Sequence, residues 1–172
     1  MVVVAETVVV EPMREADVSV VCAIERRCYP VPWHEHAYLT EIANRSACYL
    51  VARVEGAIVG YAGMWVVMDE AHITTIAVDI PFRRRHIGER LLLSLVEEAV
   101  YRQAARASLE VREHNMAAQR LYAKYGFRAA AMRKRYYSDN QENALVMWVD
   151  QLQEPDYWRK LDDLRGALPA PE

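Results

Sequence analysis

At 172 residues and a formal charge of −3, the chain has the length of one domain with a real buried core, and its slightly acidic balance argues against broad, nonspecific nucleic-acid binding. Its three cysteines, Cys22, Cys28 and Cys48, are odd in number and show no CxxC spacing, so a disulfide framework is not expected and a cytoplasmic location is. His34 and His36 lie two residues apart at a helix start and do not face the same way, so no metal site is expected.

The opening MVVVAETVVVEPM is apolar, but Glu6 and Glu11 interrupt it, and it lacks both a basic n-region and an A-x-A cleavage site, unlike a signal peptide. No run approaches the ~18 apolar residues of a membrane helix, and no membrane partner is expected. TVVVEPM (7–13) reads as a strand. Between Arg14 and Cys28, apolar residues at Val20, Val21, Ile24 and Cys28 make a helical stripe. Two prolines bar YPVPW (29–33) from a helix interior, and HEHAYLTEIAN (34–44) is a second short helix. CYLVARV (48–54) is a strand, EG (55–56) a hairpin turn, and AIVGYAGMWVVM (57–68) a long strand whose Gly60 and Gly63 suit a bulge or a close backbone approach. AHITTIAVD (71–79) follows as another strand. The helix of 87–104 sets Ile87, Leu91, Leu95 and Ala99 on one face, and ASLEVR (107–112) is a short strand. Asn115 has the chemistry of an N-cap. Ala118, Leu121, Tyr122 and Tyr125 stripe the helix it opens, and Gly126 closes that helix at C′. FRAAAMRKRYY (127–137) and ENALVMWVD (142–150) are the last two strands, about the polar turn SDNQ.

This order predicts an α/β domain over residues 1–150. Its mixed, mostly antiparallel sheet has about seven strands, with about four flanking helices and a parallel pair in the middle. The pair is AHITTIAVD and ASLEVR, joined through the helix of 87–104 as a βαβ unit. Residues 151–172, polar and with three prolines and one helical stretch DYWRKLDDL, read as a C-terminal extension.

VDIPFRRRHIGERLLLSLVEEA (78–99) places Arg83, Arg84, Arg85 and Arg90 where a strand ends and a helix begins. Free backbone N–H groups and the positive end of the helix make such a turn an anion site. It has neither the GxxxxGK of a Walker loop nor the GxGxxG of a dinucleotide fold. A pyrophosphate cradle of a third kind is required.

That stretch resembles the acetyl-CoA loop of the GNAT superfamily of N-acetyltransferases, Q/R-x-x-G-x-G/A, here Arg83-x-x-His86-x-Gly88, with histidine in place of the first glycine. Three further segments resemble the RimI subgroup in the same order: CYPVPWHEHAYLTEI, LEVREHNMAAQRLYAKYGF and RYYSDNQENALVM, the last with Asn143 for the usual aspartate. The resemblance covers about residues 7–150. It implies the GNAT fold, acetyl-CoA as cosubstrate and no metal. It further implies transfer to the N-terminal α-amine of a protein, a ribosomal protein in the RimI case. Its alternatives are a lysine side chain or small amine as acceptor, or a CoA-binding scaffold without catalysis.

The same resemblance distributes roles. Arg83, Arg84, Arg85, His86, Ile87, Gly88, Glu89 and Arg90 surround the phosphates. The backbone of Ile76, Ala77 and Val78 meets the pantetheine arm and polarises the thioester, and Asn115, Ala118 and Tyr122 touch the cofactor. Tyr122 protonates the leaving thiolate, the other reading being a core aromatic. Alternation puts Glu110 with Ser108 and Arg112 on one face of its strand. A carboxylate there is costly unless paired or used, and the resemblance makes Glu110 the general base, the other reading being a salt bridge to a nearby arginine. Trp33, Tyr137 and Glu142 are assigned to the peptide groove, the other reading of Trp33 being packing under the proline loop. From their places on the fourth strand His72 and Thr74 point toward the groove, His72 as a substrate or proton-relay residue, the other reading being a satisfied histidine.

Overall fold

The computed structural model describes residues 7–169; residues 1–6, the start of the apolar opening, and 170–172 lie outside them. Seven strands make one sheet: β1 (Val8–Pro12), β2 (Ala47–Val54), β3 (Ala57–Val67), β4 (Glu70–Val78), β5 (Arg106–Arg112), β6 (Arg128–Arg133) and β7 (Ala144–Val149). Their order is β1-β2-β3-β4-β5-β7-β6. Every neighbouring pair is antiparallel except β4 and β5. The helices are α1 (Val18–Cys28), α2 (Glu35–Ala43), α3 (Ile87–Tyr101), α4 (Met116–Lys124) and α5 (Pro155–Ala167).

Local chemistry accounts for these elements. Glu55 and Gly56 both take positive φ, +48° and +83°, which matches the twist of a two-residue hairpin between β2 and β3. Ile87, Leu91, Leu95 and Ala99 are all at most 1 % exposed, so the predicted face of α3 is the buried one. Each such leucine or isoleucine contributes roughly 1.5–3 kcal/mol. α1 departs from its predicted stripe: Val20 is 43 % exposed, and the inward positions are Val18, Val21, Cys22, Ile24 and Glu25. The helix starts only at Val18, after a 3-10 turn at Glu15–Asp17. An acid can occupy an inward position because Tyr38 and Tyr61 donate their hydroxyls, and Trp33 its backbone N–H, to the Glu25 carboxylate.

Two hydrophobic cores sandwich the sheet. α3, α4 and α5 pack on one face, and α1 and α2 on the other. In the segment after Asp150, Leu152, Tyr157 and Leu161 are buried in the larger core, and the Tyr157 hydroxyl donates to the Tyr125 carbonyl at 2.8 Å.

Two irregularities position the site. The β3–β4 register passes from Gly63↔Thr75 to Met64↔Ile73, so Thr74 is an extra residue, a β-bulge. The Tyr49 ring lies over Gly63, where a Cβ would collide with it, and the Tyr49 hydroxyl bonds Thr74 Oγ1 at 3.0 Å. Meanwhile β4 and β5 pair only from Glu70↔Arg106 to Ile73↔Leu109. Beyond that point β4 follows β3 to Val78 and β5 follows β7 to Arg112, and the parallel pair splays open.

Candidate active site

The splayed strands wall a cavity of about 410 Å³ lined by Ile73 to Ile76 on one side and Leu109 to Arg112 on the other. Glu110 faces into it with its side chain 12 % exposed. The hydrogen bond from His72 Nε2, at 3.2 Å from Oε2, holds its carboxyl below the ordinary range against partial burial, and Arg133 at 3.6 Å from Oε1 adds to the effect. Tyr122 enters from α4. Asn115 Oδ1 caps that helix by accepting from the Ala118 N–H at 3.2 Å. Its far end closes with Gly126 at φ +90°, the Gly126 N–H donating to Ala123 and the Phe127 N–H to the Tyr122 carbonyl. Burial, with the nearby Tyr29 and Tyr137 hydroxyls, pushes the Tyr122 phenol far above its ordinary range.

A second cavity of about 450 Å³ lies at the start of α3, lined by Val78, Phe82, Arg84, His86, Ile87, Gly88, Glu89, Ala117, Arg120 and Leu121. The first α-helical bond of α3 runs from the Arg90 N–H to the His86 carbonyl, which leaves the N–H groups of Ile87, Gly88 and Glu89 without intrahelical acceptors. His86 meets the backbone demand of the absent glycine by adopting φ +56°, ψ +14°, and Arg84 also takes a positive φ, +68°. A non-glycine residue there costs about 1–2 kcal/mol. The contact of His86 Nδ1 with Glu89 Oε2 at 3.2 Å offsets part of it. Glu89 is 6 % exposed. Burial opposes its charge, but Lys124 Nζ at 2.5 Å, His86 and the Tyr125 hydroxyl outweigh that and hold it below the ordinary carboxylate range.

The predicted site residues divide by place. Trp33, Thr74, Ile76, Glu110, Asn115, Tyr122 and Tyr137 line the first cavity; Val78, Arg84, His86, Ile87, Gly88 and Glu89 line the second. Ala77 is buried toward α1, and Ala118 serves the helix cap. Arg83 Nε donates to the Val78 carbonyl at 3.1 Å, Arg85 stacks on Phe82, and Arg90 donates to the Pro169 carbonyl. Glu142 stands behind the rim, between Arg112 at 3.7 Å and His114 at 3.6 Å. His72 lines neither cavity.

Other lining residues have no signal of their own in the chain pattern. Arg120 joins the cavity at the start of α3 from α4, and Glu25, Tyr29, Arg112 and Asp139 join the strand gap. Arg112 stacks 3.9 Å above the Tyr137 ring and reaches Asp139 at 3.1 Å. Burial pushes the Tyr137 phenol up to about 12, against the pull of Arg112. The free edge of β4 is already engaged. The Tyr29 hydroxyl donates to the Ile76 carbonyl at 3.0 Å, and Cys28 Sγ and Arg83 both donate to Val78.

An anion cradle at one end of a strand gap, and a carboxylate and a phenol along its walls, is the arrangement of an enzyme that moves a group from a phosphate-bearing carrier to a nucleophile. The chain belongs to the acetyltransferase (GNAT) family, whose profile matches residues 18–127. The ribosomal protein bS18-alanine N-acetyltransferase of Escherichia coli (strain K12) is 33 % identical over 140 residues, 80 % of this chain and 94 % of that one. A Bacillus subtilis (strain 168) protein provisionally given the same name is 43 % identical over 141 residues, 81 % of this chain and 93 % of that one. The crystal structure of the ribosomal-protein-S18-alanine N-acetyltransferase from Escherichia coli superposes with a TM-score of 0.78 at 31 % identity, over 84 % of this chain and 94 % of that one. Among the described residues no helix is long and apolar enough to cross a membrane, and no group of three or more His, Cys, Asp or Glu side chains could hold a metal ion.

Proposed function

We propose that the chain transfers the acetyl group of acetyl-CoA to the α-amine of a protein N-terminus, and that its substrate is the N-terminal alanine of ribosomal protein bS18. The observation that carries this reading is the gap beyond Ile73 and Leu109, with Glu110 and Tyr122 both facing it. The phosphate end of the cosubstrate fits the cradle at α3. Three first-turn N–H groups are free there, Arg84 and Arg120 bring positive charge, and the negative charge of Glu89 is spent on Lys124 and Tyr125. Glu110 takes the proton of the incoming ammonium and Tyr122 returns one to the departing sulfur. The residues between β6 and β7, with Tyr136, Tyr137 and Asp139, border the gap and narrow it. An extended chain end fits such a slot better than a lysine in the middle of a chain.

The test is incubation with acetyl-CoA and a peptide beginning with the bS18 N-terminal alanine, its N-blocked form, and a blocked peptide carrying lysine. Mass spectrometry should find one acetyl group on the α-amine of the first peptide alone. Acetylation of lysine in the blocked peptides would replace this reading with a lysine acetyltransferase, and tight CoA binding without turnover would replace it with a scaffold.

Two substitutions separate the cradle from the fold. A Cβ at Gly88 would meet only Val78 Cγ2, at an ordinary 3.6 Å, so Gly88→Val leaves the thermal midpoint within a few degrees. The bulk added among the free amides lowers CoA affinity at least about tenfold, ~1.4 kcal/mol, by calorimetry. His86→Gly relieves the left-handed backbone but loses the Glu89 contact, and CoA affinity stays within about tenfold of wild type. A hundredfold gain would mean that histidine damages the natural cradle.

A further inference from the structure

The two walls of the strand gap are held in different ways. Over β4 the wall is the connection between α1 and α2, with Tyr29, Pro30 and Trp33. Prolines stiffen it, the Tyr29 hydroxyl bonds the Ile76 carbonyl, and the Trp33 N–H bonds Glu25. Over β5 the wall is the loop of 134–143, with Tyr136, Tyr137 and Asp139. Asn143 pins the base of that loop: its Nδ2 donates to Glu113 Oε2 at 3.0 Å, and its Oδ1 accepts from the Arg135 N–H at 2.9 Å. The tip reaches the sheet through Arg112. That guanidinium lies 3.9 Å from the centre of the Tyr137 ring and 3.7 Å from Glu142. It donates to the Asp139 carboxylate at 3.1 and 3.2 Å and to Asn140 Oδ1 at 3.3 Å. We propose that Arg112 is a latch: a positioning residue that holds the 134–143 loop over the gap and so sets the preference for a chain end over a lysine side chain. This rests on the acetyltransfer reading above.

Strand geometry puts Arg112 in this place. Alternation along β5 sets it on the same face as Glu110, beyond the last β4–β5 pair at Ile73↔Leu109. Its register partner is Ala144, where the loop re-enters the sheet as β7. A planar guanidinium can stack on a ring and grip a carboxylate with two N–H groups at once, which a lysine ammonium cannot. The Arg112 side chain is 27 % exposed and that of Asp139 23 %, so water and salt screen the pair only in part. Among the described residues, the hydrogen bonds and ion pairs that Asp139 and Asn140 make outside the loop all go to Arg112. Inside the loop, the Gln141 N–H bonds the Tyr137 carbonyl at 2.8 Å and the Glu142 N–H bonds Asn140 Oδ1 at 2.9 Å. Those bonds keep the shape of the tip and leave its position over the gap to the guanidinium. Glu110 is engaged by His72 and Arg133 instead, so the latch is separate from the proposed base. With the latch gone the tip can lift, an extended chain end is gripped less, and a lysine with chain on both sides meets a wider slot.

The experiment compares wild type, Arg112→Met, Asp139→Asn and the double variant on the N-terminal peptide and on the blocked lysine peptide. Methionine keeps much of the apolar stem and loses the charged fork. Arg112→Met should raise KM for the N-terminal peptide about tenfold, the scale of a lost hydrogen bond to a charged partner. Its kcat should stay within about threefold and its KM for acetyl-CoA within about twofold. The preference for the N-terminal peptide, as a ratio of kcat/KM values, should fall about tenfold. Asp139→Asn added to Arg112→Met should cost less than about twofold more, because both remove the same contact. Amide exchange over 134–143, read by mass spectrometry, should quicken about tenfold in Arg112→Met while β2 and β3 keep their rates. Unchanged exchange overturns the latch whatever the enzyme acetylates. A fall in kcat with KM unmoved, an unmoved preference, or an additive double variant overturns it too. Quickened exchange with a wild-type enzyme that acetylates neither peptide overturns the acetyltransfer reading instead, so the two failures are distinct.

Discussion

Tyr122→Phe is expected to lower kcat by about a hundredfold, within the ~10²–10⁴ range of a positioned proton donor, while KM for acetyl-CoA moves less than twofold. Phenylalanine keeps the ring that packs 6.1 Å from Phe127 and loses only the hydroxyl. Burial holds this phenol protonated throughout the working pH range, so a donor is always present. A thiol departing into the same desolvated place has its own proton affinity raised by the same cause, and the mismatch between the two is smaller than their values in water suggest. A stopped-flow or steady-state profile in which Tyr122→Phe equals wild type from pH 6 to 9 would assign the donor elsewhere.

Glu110→Gln is expected to cost about ten- to a hundredfold in kcat at pH 7, and the cost should shrink with rising pH. The carboxyl is held below its ordinary range by His72. It is therefore ionised at every pH above that range and loses its base function only as the pH falls through its depressed value. If Glu110 takes the proton of the bound ammonium, the acid limb of wild-type kcat/KM belongs to Glu110 and lies below the ordinary carboxylate range. An acid limb near ~8, where an α-amine loses its own proton, would mean that the enzyme takes the free amine from solution and that Glu110 is not its base. A glutamine variant with a constant deficit up to pH 9.5 would make Glu110 a structural partner of Arg133 and His72 only.

The sheet was legible because its strands alternate or run apolar between turn residues, and because glutamate and glycine at 55 and 56 form a hairpin turn. Glu110 and Tyr122 were legible for opposite reasons. One is an acid in an apolar strand, and the other stands on a helix bounded by a readable cap and a readable glycine. Glu25 was not, since its tolerance inside α1 depends on tyrosines 13 and 36 residues away. The strand predicted for 127–137 ends at Arg133, because the positive φ of Arg135 and Gln141 turns the chain into the loop bordering the cavity. α5 reads as polar because only Tyr157 and Leu161 among its 13 residues are buried, and no pattern announces a contact that narrow. Arg120 sits on the outer side of its own helix stripe, and only the meeting of α3 and α4 gives it a place at the cradle.

The covered edge of β4 bears on how strongly each part of a long carrier is gripped. Because Tyr29, Cys28 and Arg83 already satisfy the carbonyls of Ile76 and Val78, a pantetheine arm laid along that strand exchanges hydrogen bonds rather than adding them, and the net gain per bond falls toward zero. On the proposed reading the grip is then uneven, firmer at the phosphates than along the arm. Such a division lets the spent thiol slide free while the nucleotide is still held. It also means that a strand from another protein meets Ile76 and Val78 carbonyls that are already hydrogen-bonded.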